Sequence, residues 1–417
     1  MGKSNFTPNK CFYEVAGLKE TGSATELRFK KRNVSVLFVQ SAIDGLGNNM
    51  FQIVWQPFVL TLNPSMAFLG GISSISSLSM NLMQPVAGKM ADISGRKRYL
   101  ILASILLSFA LLLYAMATSW VFLIPGVILM GLSMAFSNPA WTALTAESVE
   151  REVRGTTFGV LTAPSVLMGI IAPALTWLLV GWKGLRIIFW TYFAATITNL
   201  ILITLFLEET LDVSIQIEKH RQLDVRKIFK ELLKPEKGLR GFYFAVTLDA
   251  FAWGLGMEIL YGMLYAQYGF TIKQLAVLSA AFSASMGLSQ VPIGKLVDRH
   301  GRKPYLIISE LIGIIVISGF ILTTNFTIFI ILQVLMGLCA ATWVPAVLAY
   351  ISDHVEDIRR AEAIGKYSAF RGLISFPAPT IGGILYDLFG GMLVPLLINL
   401  ILVFLCIVLI SKLVYED

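Results

Sequence analysis

Twelve stretches of this chain are apolar for about the 20 residues that an α-helix needs to cross a bilayer, or for longer. They lie at roughly 34–61, 65–91, 98–117, 120–146, 155–181, 186–207, 241–267, 272–297, 304–323, 326–351, 361–387 and 391–413. The longer ones have room to tilt or to project beyond the hydrocarbon. Of the 417 residues, 56% are hydrophobic and 14% charged, which is more apolar surface than a water-soluble fold can hide. The expectation is an all-α, multi-pass protein of the cell membrane with twelve transmembrane helices and the lipid bilayer as its main solvent.

The same inventory excludes several chemistries. Cys11, Cys339 and Cys406 are scattered, and His220, His300 and His354 all fall in charged loops. Neither set offers a disulfide framework, a metal centre or a His-based hydrolase. No metal, no cofactor and no enzymatic activity is therefore expected. There is no Gly-x4-Gly-Lys-Ser/Thr loop with which to use ATP. The formal charge of +7 does not call for nucleic acid, because the basic residues sit beside helix ends. Of the 33 Lys and Arg, only Lys183, Arg186 and Lys273 fall in the loops on one side, and Arg371 lies within a helix. The other 29 lie in the tails or in the loops on the opposite side, which places both termini in the cytoplasm. Residues 1–33 are polar and do not resemble a cleavable signal peptide.

One loop pattern occurs twice. Gly88-Lys-Met-Ala-Asp92-Ile-Ser-Gly95-Arg96-Lys97 returns 206 residues later as Gly294-Lys-Leu-Val-Asp298-Arg-His-Gly301-Arg302-Lys303. The offset persists downstream, where Gly131 matches Gly337, Pro139 matches Pro345, Glu147 matches Asp353, Arg154 matches Arg360 and Pro173 matches Pro379. Six spans per half puts the two halves in the same orientation, as pseudo-symmetric bundles about an axis along the membrane normal. The organisation expected is a cytoplasmic tail at 1–33, a six-helix bundle at 34–207, a cytoplasmic loop at 208–240, a second bundle at 241–413 and a tail at 414–417. In the long loop, Leu223, Ile228, Phe229, Leu232 and Leu233 recur at roughly helical spacing. That fits either a solvated linker or an amphipathic helix on the inner surface.

The repeated pattern suits a tight helix–helix turn. Gly88 and Gly294 permit close backbone approach, and Gly95 and Gly301 permit the turn itself. Asp92 and Asp298 can face a helix N-terminus, and Arg96 and Arg302 can make forked pairs with a carboxylate. Candidate partners are Glu147 and Asp353, each followed at a matching distance by Arg154 and Arg360. Here the chain resembles the major facilitator superfamily. The signature loop of that family, Gly-x-x-x-Asp-x-x-Gly-Arg-Lys/Arg between helices 2 and 3 with a weaker copy between helices 8 and 9, stands here at both places. The resemblance covers roughly residues 34–413 and implies two six-helix bundles that alternate access. It also implies that Gly88, Asp92, Arg96, Glu147, Arg154, Asp298, Arg302, Asp353 and Arg360 form a charge network at the inner gate. Drug antiporters of the family often carry an Arg in helix 4 where this chain has Val127. They often carry Gly-Pro-x-x-Gly-Gly in helix 5, where this chain has Ala172-Pro173-Ala-Leu-Thr176-Trp177.

Polar groups inside the spans mark the candidate site. Helix 1 carries Gln40, Asp44, Asn48, Gln52 and Gln56 in four-residue steps, with Asn49 beside them. Such steps drift by about 40° each, giving one broad polar face that lines a cavity or packs against a polar helix. Helix 7 carries Asp249 and Glu258, nine residues apart and so on opposite sides of a regular helix. An offset of 206 sets Glu258 against Gln52, whereas 205 would set Asp249 against Asp44. The former favours Glu258 as the cavity residue, with Tyr261 and Tyr265 on its face, and leaves Asp249 as a buried structural partner. Both can face the cavity only if a glycine at 254, 256 or 262 breaks the helix. Arg371 suits pairing with an acid, binding an anionic substrate, or snorkelling inward. Glu310 counts for least, since helix 9 is usually peripheral in the resembled family. Trp55, Trp141, Trp253 and Trp343 are candidate cavity walls.

Acids desolvated in a membrane cavity are suited to load and release protons. The functional expectation is a monomeric secondary transporter with protons as coupling ion, exporting a small lipophilic or cationic compound. Uptake or facilitated diffusion of a polar metabolite, and a non-transporting receptor on the same fold, are the alternatives.

Overall fold

A computed structural model describes residues 24–148, 154–210, 238–355 and 360–415. Among these the regular structure is helical: α1 (Ala24–Leu62), α2 (Met66–Ser94), α3 (Arg96–Met116), α4 (Leu123–Glu147), α5 (Arg154–Lys183), α6 (Arg186–Phe206), α7 (Arg240–Gly256), α8 (Leu260–Tyr268), α9 (Ile272–His300), α10 (Lys303–Leu322), α11 (Phe326–Asp353), α12 (Arg360–Ser375), α13 (Ala378–Phe389) and α14 (Leu393–Leu413). The proposed amphipathic stretch at 223–233, Cys11 and His220 lie outside the described residues. Among the described residues, eleven helical segments are long and apolar enough to cross a membrane. The polar row on α1 dilutes its hydropathy, and α1 is not one of the eleven.

Local chemistry sets the helix ends. Ser65 caps α2 by accepting from the Phe68 N–H at 3.2 Å. Thr271 and Gln274 form a capping box at the start of α9, and the Asn325 side chain accepts from Thr327 N–H at 2.9 Å to start α11. Gly95 turns α2 into α3 at φ +100°, and Gly301 turns α9 into α10 at φ +92°, a region that L side chains rarely enter.

Two stretches that read as continuous spans are broken. The seventh breaks between α7 and α8, and the eleventh between α12 and α13. In the eleventh, Pro377 lacks an N–H and disfavours helical backbone at Phe376. In the seventh, the chain tightens so that Leu260 N–H bonds Met257 O at 3.3 Å. Backbone groups freed inside hydrocarbon need partners. Gln56 of α1 supplies them: its Nε2 donates to Glu258 O at 2.7 Å, and its Oε1 accepts from Gly262 N–H at 2.6 Å.

The packing repeats itself. In the first half α4 lies on α2 and α3, α6 lies on α1 and α3, and α5 lies on α1. In the second, α11 lies on α9 and α10, α14 lies on α7 and α10, and α12 and α13 lie on α7. The halves meet along two seams, α2 with α13 and α5 with α9. Large apolar side chains such as Leu322, Leu288 and Leu388 point outward, as a lipid-facing belt requires.

The seams are close on the face opposite the two motif loops. A Cβ on Gly70 would strike the Pro379 carbonyl, and one on Gly383 would strike the Met66 carbonyl, so α2 and α13 touch backbone to backbone. Asp387 at the end of α13 caps α2 from across the seam. It accepts from Ser65 Oγ at 2.7 Å, Met66 N–H at 3.0 Å and Ala67 N–H at 2.9 Å. On the other seam Lys273 Nζ lies 4.9 Å from the Trp177 ring centroid. Toward the motif face, contacts reach Asn81 with Gly372 and Val166 with Gly287. Beyond them a Cβ on Gly159, Gly294 or Gly365 would meet open space. The backbone-close and polar ties between the halves gather on the face opposite the motif loops.

Gly383→Ala is expected to lower the thermal unfolding midpoint of the purified protein, because overpacking a closed seam costs about 1–3 kcal/mol. Gly159→Ala, in open space, is expected to leave it unchanged or raised. Equal midpoints for the two variants would contradict the tight seam.

Candidate functional site

Where the seams cross, a cavity of about 510 Å³ opens between the halves. From the first half α1 contributes Asn49, Phe51, Gln52, Trp55 and Gln56, α2 contributes Ser73, Ser76 and Ser77, and α4 contributes Met130 and Met134. From the second come Met257 and Glu258 at the helix break, Tyr261 on α8, Ser279 and Ser283 on α9, and Gln333 and Met336 on α11. Glu258 is the one charged residue among those described as lining it. Its position follows from the break, which ends α7 at Gly256 and turns the next residues into the cavity. Trp55 and Phe51 stack at 5.1 Å to form an aromatic wall.

The structure separates the residues that the sequence grouped together. Gln52, Glu258 and Tyr261 share the cavity, whereas Asp44 and Asn48 are not among its lining. Asp44 is turned toward α6, from which Asn199 Nδ2 donates to it at 2.6 Å, and Gln40 Nε2, one turn earlier on α1, donates at 3.4 Å. The polar face of α1 thus serves both alternatives, lining a cavity with one part and packing on a polar helix with another. Asp249 and Arg371 line a second, smaller cavity of about 190 Å³ together with Trp253 and Trp343. Arg371 Nη2 lies 3.8 Å from Asp249 Oδ2, so the arginine pairs with an acid. Trp141 packs on Phe158 and does not line the central cavity.

Glu310 corrects the expectation of a peripheral residue. It is 1% exposed and lines the smaller cavity with Asp249 and Trp253. An acid inside a span is itself the signal, and position in a resembled family is no substitute for it.

The motif loops form two matching charge clusters. Arg96, 6% exposed, pairs with Asp92 at 3.0 Å and Glu147 at 2.8 Å, and its Nη1 donates to Ala91 O at 2.7 Å. Arg302 pairs with Asp298 at 3.4 Å and Asp353 at 3.0 Å, and its Nη1 donates to Val297 O at 2.6 Å. Gly88 sits against Pro139, while the side chains of Arg154 and Arg360 lie outside the described residues. Asp92 does not face a helix N-terminus: it stands one turn before Arg96 and is held by that guanidinium. Glu209, which the sequence reading passed over, takes the N-terminus of α3 instead. Its carboxylate accepts from the Arg96 and Lys97 N–H groups, both at 3.0 Å. Asp298 likewise stays beside Arg302, and α10 starts without a side-chain cap.

The chain matches the Major Facilitator Superfamily over residues 37–266 and again over 242–417. It belongs to that superfamily. Among its curated relatives, multidrug resistance protein 2 of Bacillus subtilis (strain 168) is 27% identical over 356 residues, covering 82% of this chain and 86% of the relative. Multidrug resistance protein MdtG of Serratia proteamaculans (strain 568) is 24% identical over 371 residues, covering 86% and 88%. Among solved structures, the nucleoside transporter NupG superposes with a TM-score of 0.74 at 15% identity, covering 91% of this chain and 98% of that one. The human organic anion transporter MFSD10 superposes at 0.68 and 16%, covering 91% and 99%. The transporter therefore has the all-α, multi-pass fold of the superfamily.

Glu209→Ala is expected to destabilise the transporter by about 1 kcal/mol, since it strips the cap and its helix-dipole interaction from α3. The thermal midpoint of the purified variant checks this. An unchanged midpoint would mean that water replaces the carboxylate without loss.

Proposed function

We propose that this transporter works in the cell membrane by alternating access, with both termini in the cytoplasm, and exports a small lipophilic cation in exchange for protons. The observation that carries the reading is the central cavity. Its charge is a single carboxylate, Glu258, and its apolar wall is made of aromatic rings and five methionines, Met80, Met130, Met134, Met257 and Met336. A carboxylate under low dielectric attracts a cation strongly. Thioethers are unbranched and polarisable, so they repack around ligands of different shape. The multidrug resistance names of the relatives support the same reading. One chain contains the whole cavity, which suits a monomer.

In this reading Glu258 is the counter-charge of the cation, and Gln52 and Tyr261 are candidates to shape the binding site. Asp44, Asp249 and Arg371 are candidates for handling the coupling proton. The clusters around Arg96 and Arg302 act as rivets at the cytoplasmic ends, keeping each half rigid while the halves rock. Membrane location of the motif loops on the cytoplasmic side follows from the Lys/Arg asymmetry. A second reading, uptake of a polar metabolite, draws support from Ser73, Ser76, Ser77, Ser279 and Ser283 along the cavity wall.

Flux into inside-out vesicles under an imposed pH gradient separates the two. Gradient-driven accumulation of ethidium is expected in wild type and is expected to be lost in Glu258→Gln. Accumulation at the wild-type level in that variant would remove Glu258 from cation binding. Absence of ethidium flux together with uptake of a polar solute would favour the second reading. Asp92→Asn is expected to slow flux while leaving membrane insertion intact, because the Arg96 fork loses one of its two carboxylates. Wild-type rates in that variant would sink the rivet role.

A further inference from the structure

The smaller cavity lies directly behind the wall of the central one. Phe282 and Met336 line both, so two side chains separate them. Asp249 of α7, Glu310 of α10 and Arg371 of α12 meet there. Asp249 is 2% exposed and Glu310 is 1% exposed. Both acids line this one cavity together with Trp253. Arg371 Nη2 is 3.8 Å from Asp249 Oδ2. Arg371 Nε and Glu310 Oε2 have no hydrogen-bond donor or acceptor among the described residues. The other titratable groups facing the cluster are Cys339 of α11, Tyr367 of α12 and Cys406 of α14. These are thiols and a phenol, which carry no charge near neutral pH.

Charge counting then constrains the cluster. Two carboxylates buried in one small cavity repel, and one guanidinium balances only one of them. A proton between the two carboxyls replaces repulsion with an O–H···O bond and brings the cluster to neutrality. The scaffold does not demand this arrangement. The positions 206 residues before Glu310 and Arg371 hold Ser104 and Ser165, and Ser104 only donates to Leu100 O at 3.0 Å. The first half packs in the same way without a buried ionic cluster at that place.

We propose that Asp249 and Glu310 hold one exchangeable proton between them, outside the substrate cavity, and that Arg371 couples its release to cation binding at Glu258. The inference rests on the cation reading of the central cavity. Arg371 pairs with Asp249 in a cavity that shares Phe282 and Met336 with the one lined by Glu258, so it stands between the pair and that acid. With the cavity empty, its charge is shared between Glu258 and the cluster. A cation that neutralises Glu258 leaves Arg371 to act wholly on Asp249 and Glu310. The ionised pair is then favoured, and the shared proton leaves to the water of the central cavity. One cation enters as one proton departs, and the net charge of the combined site is the same before and after. Reloading of the proton from the other face expels the cation.

Infrared difference spectra of the purified transporter, with tetraphenylphosphonium as the cation, test this. The C=O stretch of a buried protonated carboxylic acid is expected in wild type near neutral pH, and its loss is expected when tetraphenylphosphonium binds, with protons released to the medium. Glu310→Gln is expected to lose the band and the proton release yet still to bind tetraphenylphosphonium. Asp249→Asn is expected to lose the band as well. Survival of the band in both variants, or undiminished proton release from Glu310→Gln, would overturn the proposal. A band that persists while the cation binds overturns the coupling through Arg371. If wild type fails to bind tetraphenylphosphonium, the cation reading falls, whereas loss of the band in both variants still supports the shared proton.

Discussion

Hydrocarbon offers no hydrogen bond, and that one constraint organises the molecule. It makes every span a helix and permits a break only where protein supplies the missing partners. The seventh span breaks beside the cavity, and the freed Glu258 carbonyl and Gly262 N–H are taken by the Gln56 amide from the other half. Gln56 and Gly262 are themselves 206 residues apart, so this bond ties together equivalent positions of the two halves near their common axis. The break does more than end a helix. It turns Glu258 into the cavity, while Asp249 stays buried on the unbroken part beside Arg371.

The second organising effect is where charge is allowed to pair. On the motif face, the described ion pairs of Arg96 and Arg302 join helices within one half. On the opposite face, Asp387 and Lys273 reach across the seams. Ties within a half keep that half rigid, and ties across a seam hold one face shut. A carboxylate on a helix N-terminus contributes on the order of 1 kcal/mol, enough to bias a two-state seam and little enough to be broken. Halves joined by weak cross-seam ties suit the proposed rocking about a central site.

Much of this was legible without coordinates, because the signals are one-dimensional. Apolar length reports spans, the 206-residue offset reports two like halves, and the pairing of Arg96 with Glu147 and of Arg302 with Asp353 followed from repeated spacing. The cap on α3 was not legible, because Glu209 reaches it from the far end of the half and carries no local motif. Asp387 escaped notice for the same reason, being more than 300 residues from the helix it caps. Glu310 is visible in the sequence as a membrane acid, and its burial in one cavity with Asp249 overrules the peripheral position that the family resemblance implies.

By itself, then, the sequence determined the solvent, the number of spans to within the diluted first one, the duplication and the family. Each of these is a matter of composition or spacing along one chain. Only the tertiary structure decided which polar residues share a space. Glu258 entered the central cavity, Asp44 turned to Asn199, and Asp249, Glu310 and Arg371 gathered behind the wall. Side chains of separate helices meet according to where helices break and which faces pack, and a list of residues contains neither.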